Sequence, residues 1–326
     1  MAGPRPAVAQ VRSAVRPGLA ASDRPVLVAC SGGADSLALA AAVAFEAPRV
    51  GVPAGAVTVD HGLQPGSAAR AEATAGLLRN LGLAPVAVVR VEVGTDGGPE
   101  AAARSARYAA LRTAAARHGA RIALGHTLDD QAETVLLGLG RGSGPRSVAG
   151  MVAENAPFWR PLLGLRRAAT RAACAALELP VWDDPWNDDP AYTRVRLRTE
   201  ALPLLEEVLG GGVAPALART AALLREDLDL LDALAAAELD RLAGASGLPA
   251  DDVATLPTAL RRRVLRGWLR AAGVPDLQAV HLTAVDALLT GWRGQGRVDL
   301  PGGAGVVRTS GRLVLHAPDN PEEPVP

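Results

Sequence analysis

The chain has 326 residues, 49% of them hydrophobic and 21% charged, a globular composition with room for two domains of roughly 100 to 200 residues each. Its 34 basic residues balance its 34 acidic ones, so net charge gives no support for a nucleic-acid partner; every basic residue is arginine, which excludes a phosphate loop of the Gly-Lys-Ser/Thr kind. No run of about 18 uncharged apolar residues occurs, the N-terminal stretch has no apolar core of signal-peptide length, and Cys30 and Cys174 stand far apart, which argues against a membrane span, a disulfide framework or a cysteine-held metal site. A cytoplasmic protein with two small buried thiols is expected.

Residues 25–30 form an apolar run closed by Ser31-Gly32-Gly33 and predict a strand, and the Ala/Leu-rich stretch 36–45 predicts a helix. The pattern recurs with a strand over 56–59, a helix over 67–81, a strand over 85–93, a helix over 100–118, a strand over 121–124, a helix from after Asp129 to about residue 139, and a last strand within 158–163. Such alternation predicts an α/β domain over 1–204, an open parallel sheet with helices on both faces. Beyond it the period changes: Leu217, Ala221, Leu224, Leu228, Leu231, Ala235, Leu239 and Leu242 recur at three and four residues, one apolar stripe on a long helix. Further helices are expected over 257–272 and 276–289, then a hairpin of 297–300 with 305–315 before a Pro-rich tail. Residues 205–326 thus form a smaller, mainly helical second domain with a C-terminal hairpin.

Ser31-Gly32-Gly33-Ala34-Asp35-Ser36 lies between the first strand and its helix. Glycines let backbone N–H groups turn toward one point, a helix start adds partial positive charge and two serines can donate to phosphate oxygens, so the segment suits an anion. An ordinary glycine turn with Asp35 or Ser36 as helix cap is the alternative. The run Gly125-His126-Thr127-Leu128-Asp129-Asp130-Gln131-Ala132-Glu133-Thr134 opens a later helix at the same sheet edge. Asp130 and Glu133 share one helix face and could hold Mg²⁺ or an ammonium group; Asp130-x-x-Glu133 also fits a capping box, and the two readings can coexist. Arg262, Arg266 and Arg270 make a helical stripe suited to an RNA backbone or to a solvated face. Arg194, Arg196 and Arg198 alternate near Tyr192, which could stack a base or pack inside.

The loop 31–36 resembles the Ser-Gly-Gly-x-Asp-Ser loop of the PP-loop ATP pyrophosphatases, enzymes of the adenine nucleotide alpha hydrolase-like fold that grip the pyrophosphate of ATP during AMP transfer. Several motifs resemble the tRNA(Ile)-lysidine synthetase family over most of 25–205: the run 128–150 with Arg141-Gly142-Ser143-Gly144, Asp60-His61-Gly62-Leu63, Glu100-x-x-x-Arg104-x-x-Arg107-Tyr108, Arg160-Pro161-Leu162-Leu163, Asp184-Pro185-x-Asn187, and Tyr192 through Arg198. Leu300-Pro301-Gly302-Gly303 adds a weaker likeness. Thr127, Val195 and Gly98 depart from the usual pattern, and the sequence resembles the shorter members that lack an additional C-terminal domain.

The resemblance implies a carbon–nitrogen ligase. ATP adenylates O2 of the wobble cytidine, position 34, in the CAU anticodon of tRNA(Ile), and pyrophosphate leaves; the side-chain amine of free lysine then displaces AMP, switching codon reading from AUG to AUA. It further implies Ser31, Gly32, Gly33, Ala34, Asp35, Ser36 and His61 for ATP, Asp35 and Asp130 for Mg²⁺, Asp35, Asp130, Glu133, His126, Arg104 and Arg107 as the catalytic set, and Arg194, Arg196 and Arg198 for tRNA; Arg262, Arg266 and Arg270 join them as tRNA candidates on their stripe alone. His61 could touch adenosine or serve as a hydrogen-bonded loop residue. The rival readings are a PP-loop tRNA thiolase, which normally recruits clustered cysteines, an amide-forming synthetase such as one making NAD or GMP, and a noncatalytic ATP sensor, against which Asp35, Asp129, Asp130 and Glu133 argue. The oligomeric state stays open, a homodimer included.

Overall fold

A computed structural model describes residues 5–95, 98–142, 144–244 and 247–316; Ser143 and the Pro-rich tail beyond 316 lie outside the described residues, as do the side chains of Glu100 and Asn187. Two compact units result, Met1–Ala222 and Leu223–Pro326.

The first unit is built on strands β1 (Val26–Ala29), β2 (Ala54–Asp60), β3 (Val86–Arg90), β4 (Arg121–Leu124), β5 (Glu154–Asn155) and β6 (Phe158–Trp159), ordered β3-β2-β1-β4-β6-β5. All neighbours are parallel except β5, which pairs antiparallel with β6. Its helices are α1 (Pro6–Ala20), α2 (Ala34–Glu46), α3 (Ser67–Asn80), α4 (Pro99–His118), α5 (Leu128–Gly140), α6 (Pro145–Val148) and α7 (Arg167–Ala176). Alternate residues of a strand face opposite ways. Val26 and Val28 of β1 join a core with Leu37 and Leu39 of α2, Val15 and Leu19 of α1 and Cys174 of α7. Leu27 instead packs with Val57, Ile122 and the α4 residues Leu111 and Ala115. Both faces are therefore covered, as a parallel sheet requires.

The longest of the helices that were not expected are α1 and α7. In α1 the residues Val8, Val11, Val15 and Leu19 are buried in a helical stripe that Pro6 and Pro17 obscure. In α7 the buried residues are Thr170, Ala173 and Cys174, too small and too few to mark a period. The last expected strand shrinks to Phe158–Trp159, and α5 starts at Leu128 rather than after Asp129.

A helical run continues as α8 (Thr193–Arg196), a π-helical turn Leu197–Ala201 and α9 (Leu202–Val208), followed by the long α10 (Val213–Leu242). Val213, Ala214 and Leu217 at the start of α10 pack with Ala132 and Leu202. The second unit contains β7 (Leu248–Pro249), α11 (Ala250–Thr255), α12 (Thr258–Ala271), α13 (Ala279–Thr290), β8 (Val298–Asp299), β9 (Gly305–Thr309) and β10 (Arg312–His316), its strands ordered β7-β10-β9-β8. The stretch 305–315 is thus two strands rather than one. Ser310 and Gly311 take φ of 48 and 72°, the left-handed pair that closes a two-residue hairpin, and β8 flanks β9 on its other side.

Candidate active site

Because β2 and β4 lie on opposite sides of β1, the strand order reverses at β1, and the crevice beyond the carboxyl ends of β1 and β4 is where such a sheet binds ligands. A cavity of about 1000 Å³ opens there, lined by the loop after β1, Asp60 at the end of β2 and His61 after it, Gly125 and His126 after β4, Arg107 of α4, and Trp182 and Trp186. The loop after β1 is braced from within: Ser36 Oγ donates to the Gly33 carbonyl at 2.9 Å and accepts the Ser31 N–H at 3.2 Å. Neither Asp35 nor Ser36 caps α2; Gly33 holds the N-cap position with no side-chain bond, so the first amides of α2 keep their capacity for an anion. Gly32 needs its left-handed φ of 88°, whereas a Cβ on Gly33 would meet nothing closer than Ser31 Oγ at 3.6 Å. Gly125 explains why the two loops meet. A Cβ there would stand 3.0 Å from the Asp35 backbone.

The acids converge on one arginine. Arg167 NH2 lies 2.6 Å from Asp130 Oδ1 and 3.2 Å from Glu133 Oε1, and its Nε lies 3.5 Å from Asp35 Oδ2. Arg198 Nε donates to Glu133 Oε1 at 2.9 Å, and the Thr170 hydroxyl contacts the Asp35 carboxyl. The capping box of α5 is Thr127 with Asp130, not Asp130 with Glu133: Asp130 Oδ2 accepts the Thr127 N–H at 2.7 Å, and Thr127 Oγ1 accepts the Asp130 N–H at 3.4 Å. Asp130 therefore caps its helix with one oxygen and faces Arg167 with the other. Asp129 points elsewhere, accepting the N–H of Arg167 at 2.7 Å and pairing with Arg166 at 3.0 Å. It anchors the start of α7. Burial pushes the Asp35 carboxyl above the usual carboxylate range, helped by the Asp130 charge and opposed by Thr170 and Arg167. Asp130 is also buried, but Arg167 and the Thr127 bonds outweigh burial and hold it below that range.

In the same cavity, His61 Nδ1, His126 Nδ1 and Arg107 Nε are buried with no hydrogen-bond partner among the described residues, capacity that a polar ligand would use. Burial drives the His126 imidazole down to about 3 against the pull of Asp130, with Arg107, Arg160 and Arg104 adding to the fall; the ring is neutral. Arg104 leans over the Tyr108 ring at 4.8 Å and is not among the residues lining the cavity.

Arg194, Arg196 and Arg198 lie in a helical run, not a strand, so positions 194 and 198 share a face. Arg198 turns in to Glu133, while Arg196 turns out to Glu200 at 3.0 Å. Tyr192 pairs with Trp186, ring centroids 6.1 Å apart. In the second unit the expected stripe is divided. Arg262 and the buried Arg261 both reach Asp286, at 3.4 and 2.5 Å, and Arg263 reaches Asp232 at 2.8 Å. Arg266 and Arg270 have no acidic partner within ion-pair distance among the described residues, and the Arg266 guanidinium is lowered by burial and by the charges of Arg270 and Arg263. The residues that sequence reasoning missed are Arg167, Thr170 and Trp182, whose N–H donates to the Gly32 carbonyl at 3.0 Å. No motif marks Arg167 in a chain with 34 arginines.

A profile of the PP-loop domain matches residues 6–205, and one of the TilS substrate binding domain matches residues 248–314. A tRNA(Ile)-lysidine synthase of Streptomyces coelicolor is 54% identical over 349 residues, covering 96% of this chain and 99% of the relative. Proteins of the same name from Thermobifida fusca and Leifsonia xyli are 55% identical, covering 97% of this chain and 100% of the relative, and 57% identical, covering 89% of each. Among solved structures, the U34-tRNA thiolase NcsA from Methanococcus maripaludis aligns with a TM-score of 0.55 at 18% identity, over 67% of this chain and 80% of that one, a likeness of fold.

Proposed function

Because the chain belongs to the tRNA(Ile)-lysidine synthase family, we propose that it uses ATP to ligate free lysine to C2 of cytidine 34 in the CAU anticodon of tRNA(Ile), with 1–204 as the catalytic domain and 205–326 as a tRNA-binding domain. The observation that carries the reading is the junction, in one cavity, of an anion-binding loop on α2 with Asp35, Asp130, Arg167 and Arg198. In the first step cytosine O2 attacks the α-phosphorus of ATP and pyrophosphate leaves; the amides and hydroxyls of 31–36 stabilise its charge where it develops. In the second the lysine amine forms the C2–N bond, the C2–O2 bond breaks, AMP departs, and the amine's proton passes to a base. Asp130, ionised at neutral pH, holds the incoming ammonium, and Asp35, whose carboxyl burial pushes above the usual carboxylate range, is the base at hand. Neutral His126, beside Asp130, and cationic Arg107 line the same cavity and steer the phosphate and base without adding a second acid.

Asp35 and Asp130 offer two hard oxygen donors beside the anion loop, which suits Mg²⁺, an ion usually bound by one or two carboxylates plus phosphates and water; when bound it would neutralise phosphate charge. Arg266 and Arg270, with Arg194 and Arg196, would meet RNA phosphates, whereas Arg198 is committed to Glu133 in the cavity; Trp186 with Tyr192 offers an aromatic surface to an unstacked base. No single helix among the described residues is long and apolar enough to cross a membrane, in keeping with a cytoplasmic enzyme. A thiolase is disfavoured by the donor set: Cys30 and Cys174 are both buried in the core, their thiols against Ser36 and the Ala34 carbonyl. The test is to incubate the enzyme with ATP, isotope-labelled lysine and tRNA(Ile) and to map the tRNA by mass spectrometry. Labelled lysine on cytidine 34 with release of pyrophosphate is expected; tRNA of unchanged mass, or sulfur incorporation, refutes the reading.

A further inference from the structure

Each acid of the site has its own local holder. Glu133 has Arg198 at 2.9 Å, Asp130 has the Thr127 amide at 2.7 Å, and Asp35 has the Thr170 hydroxyl. Arg167 is needed to place none of them singly, yet its one guanidinium reaches all three, at 2.6, 3.2 and 3.5 Å. What it alone supplies is a positive charge common to carboxylates from two different helices, α2 and α5, which would otherwise repel across a poorly solvated space. Its aim is set from behind: Asp129 fixes the first amide of α7 at 2.7 Å and pairs with the neighbouring Arg166, so the side chain leaves a fixed helix start and stays only 19% exposed. A planar fork with several donors can bridge three acceptors in this way, and a lysine ammonium cannot hold the same spread.

We infer that Arg167 is a positioning residue, a resident counter-cation that sets the spacing of Asp35 against Asp130 and Glu133 and competes for them with any divalent or ammonium ion that enters. The inference rests on the proposed role of these acids toward a cationic partner. Full-length Arg167→Gln, Arg167→Lys and Asp129→Ala are compared with wild type in two measurements: the Mg²⁺ midpoint of ATP binding by calorimetry, and kcat with each KM for pyrophosphate release in the presence of lysine and tRNA. In Arg167→Gln the Mg²⁺ midpoint should fall threefold or more as the acids lose their resident partner, while kcat drops tenfold or more and the KM for tRNA stays put. Arg167→Lys keeps the charge, so its midpoint should return close to wild type with kcat partly restored. Asp129→Ala loosens the helix start and should move both quantities in the direction of Arg167→Gln by less. An unchanged midpoint in folded Arg167→Gln, or unchanged midpoint and kcat in both other variants should Arg167→Gln not fold, overturns the inference. The Mg²⁺ arm reads Arg167 whether or not tRNA is modified, so a wild-type enzyme that makes no lysidine would sink the functional reading while the midpoints still decide the role of Arg167.

Discussion

Glu133→Gln separates a structural from a purely chemical part played by the acid. Glu133 is 1% exposed and takes three contacts, from Arg198 Nε at 2.9 Å, Arg198 NH2 at 3.4 Å and Arg167 NH2 at 3.2 Å. Glutamine keeps one acceptor for Arg198 Nε and Arg167 NH2, which share Oε1, but loses the charge and turns an NH2 group toward Arg198 NH2. Removing one partner of a fully buried ion pair costs about 3 to 5 kcal/mol. Here the arginines are 32% and 19% exposed, so water can recover part of the loss, and about 2 kcal/mol is the better figure, close to one charge-assisted hydrogen bond. At about 2 to 4 °C per kcal/mol for a unit of this size, the melting midpoint should fall by about 4 to 8 °C. Helix capping contributes none of this, because the box belongs to Thr127 and Asp130. Thermal unfolding by circular dichroism reads the shift, and lysidine formation, measured below the variant's midpoint, should slow tenfold or more with ATP binding retained. A variant that melts within about 1 °C of wild type would show that the two arginines do not depend on Glu133, and the ion-pair reasoning would fail there.

Gly33→Ala should fold normally, since its Cβ has 3.6 Å to the nearest atom, yet lose tenfold or more in pyrophosphate release; Gly32→Ala, with φ of 88° and Thr74 Oγ1 at 2.9 Å, should lower the melting midpoint instead. Wild-type turnover by Gly33→Ala would remove phosphate from that spot. His126 has a folded-state pKa of about 3 against 6.5 for a free imidazole, so below pH 6.5 the unfolded chain takes up a proton that the native site refuses. Stability is therefore lost as pH falls from 6.5 toward 3, at up to about 1.4 kcal/mol per pH unit from this group. His126→Asn should flatten that part of the slope in denaturant titrations, and equal slopes would show an imidazole open to protons. Arg266→Ala and Arg270→Ala should each lessen the dependence of log K on log salt for tRNA binding by about one unit per lost phosphate contact, whereas Arg263→Ala, whose partner is Asp232, should change it little. If all three slopes match wild type, the stripe is a solvated face.

What the amino-acid order determined by itself was local. The apolar run before Ser31, the glycines at 32 and 33 and the Ala/Leu stretch after them specify strand, turn and helix through short-range sterics and burial, and repeated alternation specifies a parallel sheet with its ligand crevice at the loop. That Asp130 and Glu133 stand together was legible for the same reason, because residues three apart on a helix share a face wherever the helix goes. The register of its cap was not: Thr127 and Asp130 form the box because α5 starts at Leu128. Nor was the α1 stripe, whose partners α2 and α7 are set by the fold. Arg194, Arg196 and Arg198 alternate in sequence, but only a helical backbone decides that Arg198 turns in and Arg196 out. Arg167 was the least legible. It meets Asp130 across 37 positions, Arg198 meets Glu133 across 65, and Thr170 meets Asp35 across 135. An arginine carries the same charge and propensity at every position, so which of the 34 becomes the hub of the acids depends on where packing delivers the start of α7, a property of the assembled core that no short window of sequence contains.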